Sequence, residues 1–427
     1  MKTSSLVSLL TAVVPALAAP NGLTRRADPP AFVEGKYIVQ LKPGTSPDAV
    51  TAHHNAVRSL LLRRRDGSAG ALEQTFQIGD FNAYSGSFDD ATLAAISGLD
   101  EVLAVERDQV IRVDQTEGGT SHTLPAAAAA RALTTQADSI WSLGDLSHLE
   151  AGATEYVYDE TAGEGTTAYV LDTGIRLSHD EFEGRASFGI NGVTGSTTPN
   201  GTNSDTAGHG THVAATIVGK TYGVAKKAKV IDVKVFEGDT GSTSAILTGI
   251  TWAVNDIKSK GTQGKSVLNM SLAGRDVPAL DNAVLAAYNE GILSIVAAGN
   301  DNQPANETSP ARLPESFTVG MTQADRARVN IIDGIYGSAY GPELDVFAPG
   351  RDIVSASHLS DTGSRSATGT SMATPLVAGL VCYLRGLEGG FGTPKEVTDR
   401  ILELAIPDVV ADPKGSPNLL VNNGSGR

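Results

Sequence analysis

The chain from about Thr134 onward alternates short apolar runs with longer segments of helical spacing. The apolar runs are Ala168–Leu171, Val230–Val235, Ser266–Met270, Leu293–Ala297, Phe317–Met321 and Asp345–Ala348. The helical segments are Gly210–Val218, Ser242–Lys258, Pro278–Asn289, Ser371–Gly386 and Pro394–Ala405. Strands that are apolar almost throughout belong in a parallel sheet covered by helices on both faces. The sequence therefore predicts an α/β domain with its active site beyond the carboxyl ends of the strands.

A smaller unit precedes this domain and follows a different pattern. Its predicted elements are a strand at Lys36–Leu41, a helix at Ala49–Leu62, strands within Phe76–Phe88, a helix at Asp90–Leu99 and a strand at Val102–Val113. This order is typical of a small α+β domain. The following segment, Asp114–Arg131, is polar and then rich in alanine, without apolar periodicity. We expect it to be an exposed linker that is easily cut.

Residues 1–18 have the pattern of a secretory signal. Lys2 precedes an apolar run at Leu6–Val14, and Ala16 and Ala18 provide small residues for cleavage. A membrane anchor is the alternative, but the run has about ten apolar residues and a spanning helix needs about 20. We therefore expect an exported protein that is not held in a membrane.

Charge and cysteine content exclude some classes of partner and of stabilisation. The formal net charge of −15 argues against nucleic acid or an anionic membrane surface as the main partner, because both need a cationic face. The single cysteine, Cys382, cannot form an intrachain disulfide. Because Cys382 lies in an apolar run without a catalytic motif, we expect a buried small side chain there.

Three separate segments carry the residue types of nucleophilic catalysis. Asp172 ends an apolar strand before a glycine turn, His209 stands between glycines at the start of a predicted helix, and Ser371 opens another helix after a glycine. A serine hydroxyl needs an imidazole to accept its proton, and the imidazole needs a carboxylate to fix its tautomer. The alternative for Ser371 is a helix N-cap, which is weaker here because Thr370 can also cap. We therefore predict that Asp172, His209 and Ser371 form a catalytic triad.

A fourth segment supplies an electrophilic group. Asn300 follows the apolar strand Leu293–Ala297, and its amide could donate to an oxyanion together with the backbone N–H of Ser371. A turn residue is the alternative when Asn300 is considered alone.

These segments together resemble the subtilisin-like serine proteases, in particular the branch of proteinase K. The resemblance covers about Trp141 to Ala405, and the chain order Asp, His, Ser is that of subtilisin. The matching strings are Asp172-Thr173-Gly174, His209-Gly210-Thr211-His212, Ala298-Gly299-Asn300 and Gly369-Thr370-Ser371-Met372-Ala373-Thr374-Pro375. The resemblance implies a three-layer α/β/α domain with a mainly parallel, seven-stranded sheet.

The resemblance also implies how the chain is organised and processed. Residues 19–131 would be a propeptide, with its inhibitory α+β domain at about 32–113, and residues 132–427 would be the peptidase domain. We expect the propeptide to be removed by self-cleavage between about Leu124 and Thr134, because Trp141 resembles a tryptophan near the mature N-terminus of the family.

A substrate cleft is implied as well. Phe236–Ser242, with Phe236, Glu237 and Gly238 as contact residues, resembles an edge strand that pairs with an extended peptide. Ser271, Leu272, Ala273 and Gly274 resemble the opposite wall, and Ala297, Ala298 and Gly299 would line a wide primary pocket. We expect broad specificity with a preference for aromatic or large aliphatic residues before the scissile bond.

Two further expectations concern ions and modification. The resemblance implies no cofactor for catalysis but a structural calcium ion, bound by the carbonyls of Pro314 and Ser316 and the carboxylate of Asp345. A solvated carboxylate is the alternative for Asp345, and the stretch Val329–Pro342 nearby is longer than usual for the family. Sequons at Asn200, Asn306 and Asn423 predict glycosylation.

The function predicted is therefore a secreted serine endopeptidase made as a zymogen. Its expected partners are protein and peptide substrates and its own propeptide, and we expect a monomer.

One alternative function is that of an inactive binding protein on the same fold, although all three triad residues are present in the sequence. A lipase or esterase of the α/β-hydrolase class is another, but Ser371 lacks the Gly-x-Ser-x-Gly surroundings of that class. His209 and His212 could also form a metal pair, but a hydrogen-bonded structural role is preferred for His212 because no His-Glu-x-x-His string exists.

Overall fold

A computed structural model describes residues 30–62, 70–113, 116–118, 133–199, 201, 203–332, 336–389 and 391–426. The predicted signal at residues 1–18 lies outside the described residues. So does the predicted linker, except for its residues 116–118.

The N-terminal domain has the predicted order of elements. These are β1 (Ala31–Leu41), α1 (Pro47–Leu62), β2 (Leu72–Ile78), β3 (Phe81–Ser87), α2 (Asp90–Ser97) and β4 (Val102–Arg112). The four strands form an antiparallel arrangement in the order β4-β1-β3-β2. Val39 and Tyr84 of the sheet pack with Val57 of α1 and Ile96 of α2, so one face of the sheet has its own small core.

The rest of the chain begins with a short strand and continues into the large domain. The first elements are β5 (Thr116–Gly118), β6 (Leu133–Gln136), α3 (Trp141–Ser147), β7 (Tyr156–Asp159), β8 (Thr167–Asp172), β9 (Ala186–Asn191), α4 (His209–Val218), β10 (Lys229–Lys234), β11 (Phe236–Glu237), β12 (Thr240–Ser242) and α5 (Thr243–Lys260). Next are β13 (Ser266–Met270), β14 (Gly274–Arg275), α6 (Pro278–Asn289), β15 (Leu293–Ala297), β16 (Thr308–Ser309), β17 (Phe317–Thr322) and β18 (Val346–Pro349). The last are β19 (Ile353–Ala356), β20 (Ser364–Thr368), α7 (Thr370–Leu387), α8 (Pro394–Leu404), β21 (Ile406–Pro407) and β22 (Leu419–Leu420).

The central sheet has the order β21-β22-β18-β17-β15-β13-β8-β10-β9. The seven strands from β18 to β9 are parallel throughout, which confirms the predicted sheet. Two strands of two residues each extend it at one edge: β22 is parallel to β18, and β21 is antiparallel to β22. The sheet therefore has nine strands instead of the seven that the resemblance implies, because the C-terminal segment adds its backbone to the edge.

Alternating side chains of the central strands β8, β10, β13 and β15 enter two separate cores. In β8, Ala168 and Val170 belong to the core that contains α4 and α7, whereas Tyr169 and Leu171 belong to the core that contains α5 and α6. This alternation follows from the period of two in a strand, and it produces the α/β/α layers. Within the described ranges, no helix has both the length and the apolar character needed to cross a bilayer.

Local signals explain where the helices begin. The sequence predicted that α5 begins at Ser242. In the structure Ser242 lies just before the helix and caps it, because its side chain accepts a hydrogen bond from the backbone N–H of Ala245. The sequence prediction missed β9 and α3. β9 is interrupted by Gly189 and half exposed, and α3 has only seven residues, so neither has a clear apolar period.

The N-terminal domain is joined to the large domain through a continuous sheet. The edge strand β4 pairs in antiparallel fashion with β12, so the order of this second sheet is β11-β12-β4-β1-β3-β2. Phe76 and Ile78 on the face of this sheet pack into the core around α5 and α6. The two domains therefore share both hydrogen bonds and apolar surface.

The central helix α7 provides a test of the core. Leu380 is fully buried, so Leu380→Ala should lower the free energy of unfolding by about 2–5 kcal/mol through lost burial and a residual cavity. Leu359, which is 79% exposed, offers the matched control, and Leu359→Ala should change stability by less than about 0.5 kcal/mol. Urea unfolding followed by fluorescence measures both. Equal effects of the two substitutions would contradict the assignment of α7 to the core.

Candidate active site

Asp172 and His209 meet at the carboxyl edge of the sheet. Asp172 is the last residue of β8 and His209 is the first residue of α4, and Nδ1 of His209 lies 2.7 Å from Oδ1 of Asp172. Both side chains are buried, and the backbone N–H of Thr173 also donates to Asp172 Oδ1 at 2.7 Å. Nε2 of His209 is buried without a hydrogen-bond partner among the described residues. The carboxylate thus engages one ring nitrogen and leaves the other for a different partner.

Ser371 is the second residue of α7, which packs against α4. Its hydroxyl donates to the carbonyl of Ser271 at 3.1 Å, and the hydroxyl of Ser271 donates to the carbonyl of Ser371 at 2.9 Å. The hydroxyl of Ser371 and the free nitrogen of His209 therefore both lie where the two helices begin. They are not hydrogen-bonded to each other in this state, which is common for catalytic groups without substrate.

Asn300 has a fixed amide orientation. Its Oδ1 accepts from both the backbone N–H and the hydroxyl of Thr370, at 2.8 and 2.9 Å. Because the oxygen faces Thr370, the amide nitrogen is the end turned away from it. Asn300 and Ser371 line the same cavity, so the side chain lies in reach of a carbonyl bound there.

This cavity is the predicted cleft, and part of the N-terminal domain occupies it. Its lining from the large domain consists of Ser271, Leu272, Ala273, Ala297, Gly299, Asn300, Thr370 and Ser371. Arg112 and Val113 complete the lining and leave a volume of about 40 Å³.

Of the three residues predicted for the primary pocket, Ala298 does not line this cavity. Ala298 is fully buried against Ala305 and Ala339, because successive side chains of an extended segment face opposite sides.

The segment that ends in Val113 lies in the cleft as an extended strand. Val110, Ile111 and Arg112 pair in antiparallel fashion with β12, and the backbone N–H of Val113 donates to the carbonyl of Asp239. On the other side, the side chain of Gln109 exchanges hydrogen bonds with the backbone of Arg275, next to Gly274. Main-chain pairing on the β12 side is the mode by which an edge strand binds a peptide.

The pairing edge lies within the predicted segment Phe236–Ser242, but the predicted contact residues are not the ones that pair. Phe236 and Glu237 form β11 and Gly238 follows in a turn, so they support the hairpin while Thr240–Ser242 provides the pairing edge. Phe236 is fully buried while β4 lies in the cleft, and it belongs to the same core as Ile111 of β4. The sequence placed the contact too early because the turn between β11 and β12 has no apolar pattern of its own.

Two carboxylates of β4 bind the starts of helices in the large domain. Glu106 accepts from the backbone N–H of Ala279 at 3.0 Å, and Asp108 accepts from the N–H of Ser244 at 3.1 Å. These N–H groups lie in the first turns of α6 and α5, where backbone N–H groups have no acceptor within the helix. Burial raises the pKa of Glu106 to about 7. The sequence analysis missed both residues because a charged strand residue has no distinctive pattern.

The long stretch Val329–Pro342 supports the end of β15. The backbone N–H of Ala339 donates to the carbonyl of Gly299, and that of Gly337 donates to the carbonyl of Asn300, both at 2.9 Å. Tyr336 donates from its hydroxyl to the carbonyl of Thr368 at 2.7 Å. This stretch therefore supports the backbone that carries Asn300. Residues 333–335 lie outside the described part of this stretch.

The structural roles expected for His212 and Cys382 agree with their surroundings. Nε2 of His212 lies 2.8 Å from the carbonyl of Ile353, and burial lowers the pKa of this side chain to about 3. Cys382 is buried in α7, and burial raises its pKa to about 11. A neutral histidine and a protonated thiol are consistent with packing roles.

Asp345, the predicted calcium ligand, lies directly before β18. Its carboxylate accepts from the backbone N–H of Thr318 at 2.7 Å, and burial raises its pKa to about 7. Among the described residues, no lysine or arginine forms an ion pair with Asp345. Ser316 is buried and directs its hydroxyl to the carbonyls of Pro310 and Leu313. A carboxylate without a cationic partner fits a hard cation, since the ion would supply the missing charge.

The three sequons differ in their accessibility. Asn306 is exposed, whereas Asn200 lies outside the described residues. Asn423 is only 4% exposed and its amide nitrogen donates to the carbonyl of Val157 at 2.8 Å. The expectation of a glycan at Asn423 is therefore corrected, because tertiary packing uses the nitrogen that glycosylation needs.

Comparisons with known proteins agree with this geometry. The family model described as "Subtilase family", Peptidase_S8, matches residues 163–426, and that of the peptidase inhibitor I9 matches residues 36–114. Alkaline protease 1 of Aspergillus clavatus is 47% identical over 426 residues, which cover 98% of each chain. An alkaline proteinase of Hapsidospora chrysogena is 45% identical, over 99% of this chain and 98% of its own. The crystal structure of a cold adapted subtilisin-like serine proteinase is similar with a TM-score of 0.60 and 37% identity, over 67% of this chain and 99% of that chain.

The matched residues include all four segments around the cleft, and the inhibitor match ends at the segment that fills it. The chain therefore belongs to the subtilase family of serine endopeptidases, and a peptidase inhibitor I9 domain precedes its catalytic domain.

Proposed function

We propose that this subtilase is secreted and hydrolyses peptide bonds through an acyl-enzyme, with Asp172, His209 and Ser371 as its triad. The observation that carries the proposal is the buried hydrogen bond of 2.7 Å between Asp172 and His209, which leaves Nε2 of the ring without a partner among the described residues. Secretion rests on the signal-like pattern of residues 1–18.

The reaction begins when a substrate carbonyl enters the cavity lined by Ser371 and Asn300. The hydroxyl of Ser371 leaves the carbonyl of Ser271, gives its proton to Nε2 of His209 and attacks the carbonyl carbon. Asp172 holds the ring in the required tautomer and stabilises the imidazolium. His209 then gives the proton to the leaving amine, and water releases the acyl group by the reverse sequence.

The oxyanion that forms on attack needs donors at a fixed position. The amide nitrogen of Asn300 and the backbone N–H of Ser371 provide them, and Thr370 holds the amide of Asn300 by its oxygen. Donors that do not reorient during the reaction lower the barrier, and the loss of one costs about 10²–10³ in turnover.

Specificity follows from the walls of the cleft. Pairing with β12 reads the main chain, so many sequences can bind. Ala297 and Gly299 are small and leave room for a large side chain before the scissile bond. We therefore propose broad specificity with a preference for aromatic or large aliphatic residues at that position.

Removal of the nucleophile tests this assignment. Ser371→Ala should reduce casein hydrolysis by about 10⁶-fold, the loss known for the nucleophile of subtilisin itself. A phosphonofluoridate should label the unmodified chain, which would exclude an inactive binding protein as the alternative. The Ser371→Ala chain should not be labelled. Mass spectrometry of the casein fragments from the unmodified chain reports the residue before each cut.

The exposed Ser360 supplies the control, and Ser360→Ala should keep both activities. Retained casein hydrolysis by Ser371→Ala would overturn the triad. Cuts mainly after charged residues would overturn the proposed preference alone.

The I9 domain inhibits the enzyme because its last strand lies in the cleft as a substrate would. Val110–Arg112 pair with β12 on one side of Ser371. Beyond it, Thr116–Gly118 pair with β20, which leads directly into Gly369 and Ser371. Residues 113 to 115 separate the two paired segments, and 114 and 115 lie outside the described residues. We therefore propose a first, intramolecular cut between Val113 and Thr116, followed by removal of the remaining linker between about Leu124 and Thr134.

Time-resolved mass spectrometry of the purified full chain tests this order. The earliest N-terminal fragment should end at residue 113, 114 or 115, and its rate of appearance should not depend on protein concentration. The Ser371→Ala chain is the control and should stay intact. A first fragment that ends at residue 124 or later would contradict the proposal.

We further propose that Asp345, with the carbonyls of Pro314 and Ser316, holds a structural calcium ion. The ion would tie the start of β17 to the segment before β18, and it takes no part in the chemistry. A calcium concentration about 100-fold above Kd would add about 2.7 kcal/mol of stability.

Removal of calcium with EGTA should lower the Tm by roughly 5–10 °C, from that free energy and the usual 2–4 °C per kcal/mol. Asp345→Asn should abolish the difference between calcium and EGTA. Asp399→Asn on the exposed surface of α8 is the control and should keep it. An unchanged difference in Asp345→Asn would place the ion elsewhere.

A further inference from the structure

A buried carboxylate, Asp205, lies four residues before His209 and has no role in the reaction described above. The side chain is fully buried and accepts five hydrogen bonds. Oδ1 accepts from the hydroxyl of Thr173 at 2.8 Å and from the backbone N–H groups of Ala207 and Gly208 at 3.1 and 2.7 Å. Oδ2 accepts from the N–H and the hydroxyl of Thr211 at 2.9 and 2.6 Å.

The contacts replace a cap that α4 cannot provide for itself. The residue before the helix, Gly208, has no side chain and a φ of +84°. A Cβ there would lie 2.2 Å from Nδ1 of His358, so a capping side chain does not fit. The N–H of Thr211 is instead bound by Asp205, and that of Gly210 is bound by the hydroxyl of Thr173 at 2.9 Å. The unpaired donors of the first turn are thus satisfied from outside the helix.

The same contacts join the two residues of the proposed charge pair. Thr173 directly follows Asp172, and its backbone N–H donates to the Asp172 carboxylate at 2.7 Å. Gly208 and Gly210 directly flank His209. One carboxylate therefore holds the end of β8 and the start of α4 at a fixed separation, from which the distance of 2.7 Å between Asp172 and His209 follows.

We infer that Asp205 is a positioning residue of the proposed peptidase reaction, acting through the backbone of His209 and through Thr173. This inference rests on the proposed function. All five hydrogen bonds of the Asp205 side chain come from donors, three to Oδ1 and two to Oδ2. An asparagine would place an NH₂ group, itself a donor, against the donors of one of these two oxygens. The backbone beside His209 would then shift, and a misplacement of about 1 Å can cost 10²-fold in rate.

Asp205→Asn should lower kcat for a peptide substrate by about 10²-fold and leave KM within about twofold, because no wall of the cleft changes. The full chain is expressed, allowed to mature and assayed against the unmodified protein. Asp145→Asn is the matched control. Asp145 is also a buried carboxylate, but it lies on α3, forms an ion pair with Arg326 and does not line the cleft. This substitution should lower the Tm without changing kcat.

Thr173 provides a second test that does not require Asp205→Asn to fold. Thr173→Val removes the hydroxyl that links Asp205 to Gly210 and should lower kcat at constant KM, whereas Thr173→Ser keeps the hydroxyl and should restore it. Unchanged kcat in Asp205→Asn, or equal kcat for the valine and serine variants, would overturn the inference. Failure of the unmodified chain to react with a phosphonofluoridate would instead overturn the proposed function.

Discussion

The structure depends on strands that are apolar on both faces. Such strands must be covered on both sides, and the strands β8, β10, β13 and β15 therefore send one set of side chains under α4 and α7 and the other under α5 and α6. Parallel strands also end at one common edge. Asp172 and Asn300 leave the sheet at that edge, and the helices that begin with His209 and Ser371 start there. The need to bury two faces thus brings together residues that are up to 199 positions apart in the chain.

The edge of a second sheet explains how the same chain can be enzyme and inhibitor. An unpaired strand edge binds another extended segment through its backbone, and β12 uses this property to bind β4. The strand that completes the small domain therefore continues into the cleft. The helix contacts of Glu106 and Asp108 fix its direction, so the segment that follows passes beside Ser371. Inhibition and the proposed self-cleavage rest on one geometry, since the inhibitor is bound as a substrate would be.

Buried polar groups give the site its rigidity. Thr370 fixes the amide of Asn300, and Asp205 fixes the backbone around His209. Each of these groups has its partners satisfied inside the protein, where an unpaired donor would be costly. A site that depends on distances of 2.7 to 3.1 Å needs this kind of support, because apolar packing alone does not specify the orientation of a polar side chain.

The sequence by itself determined the layered α/β domain, the smaller domain before it and the residue types of the site. Apolar periodicity is a local property, and strings such as Gly369–Pro375 are contiguous, so both are visible without a structure. Only the tertiary structure decided that Thr240–Ser242 provides the pairing edge, that Ala298 faces the core and that Asn423 is buried. It also decided that Asp205 caps α4, since an aspartate in a glycine-rich turn is ordinary in sequence. These features depend on contacts between distant segments, and no local pattern records which side chain another part of the chain will cover.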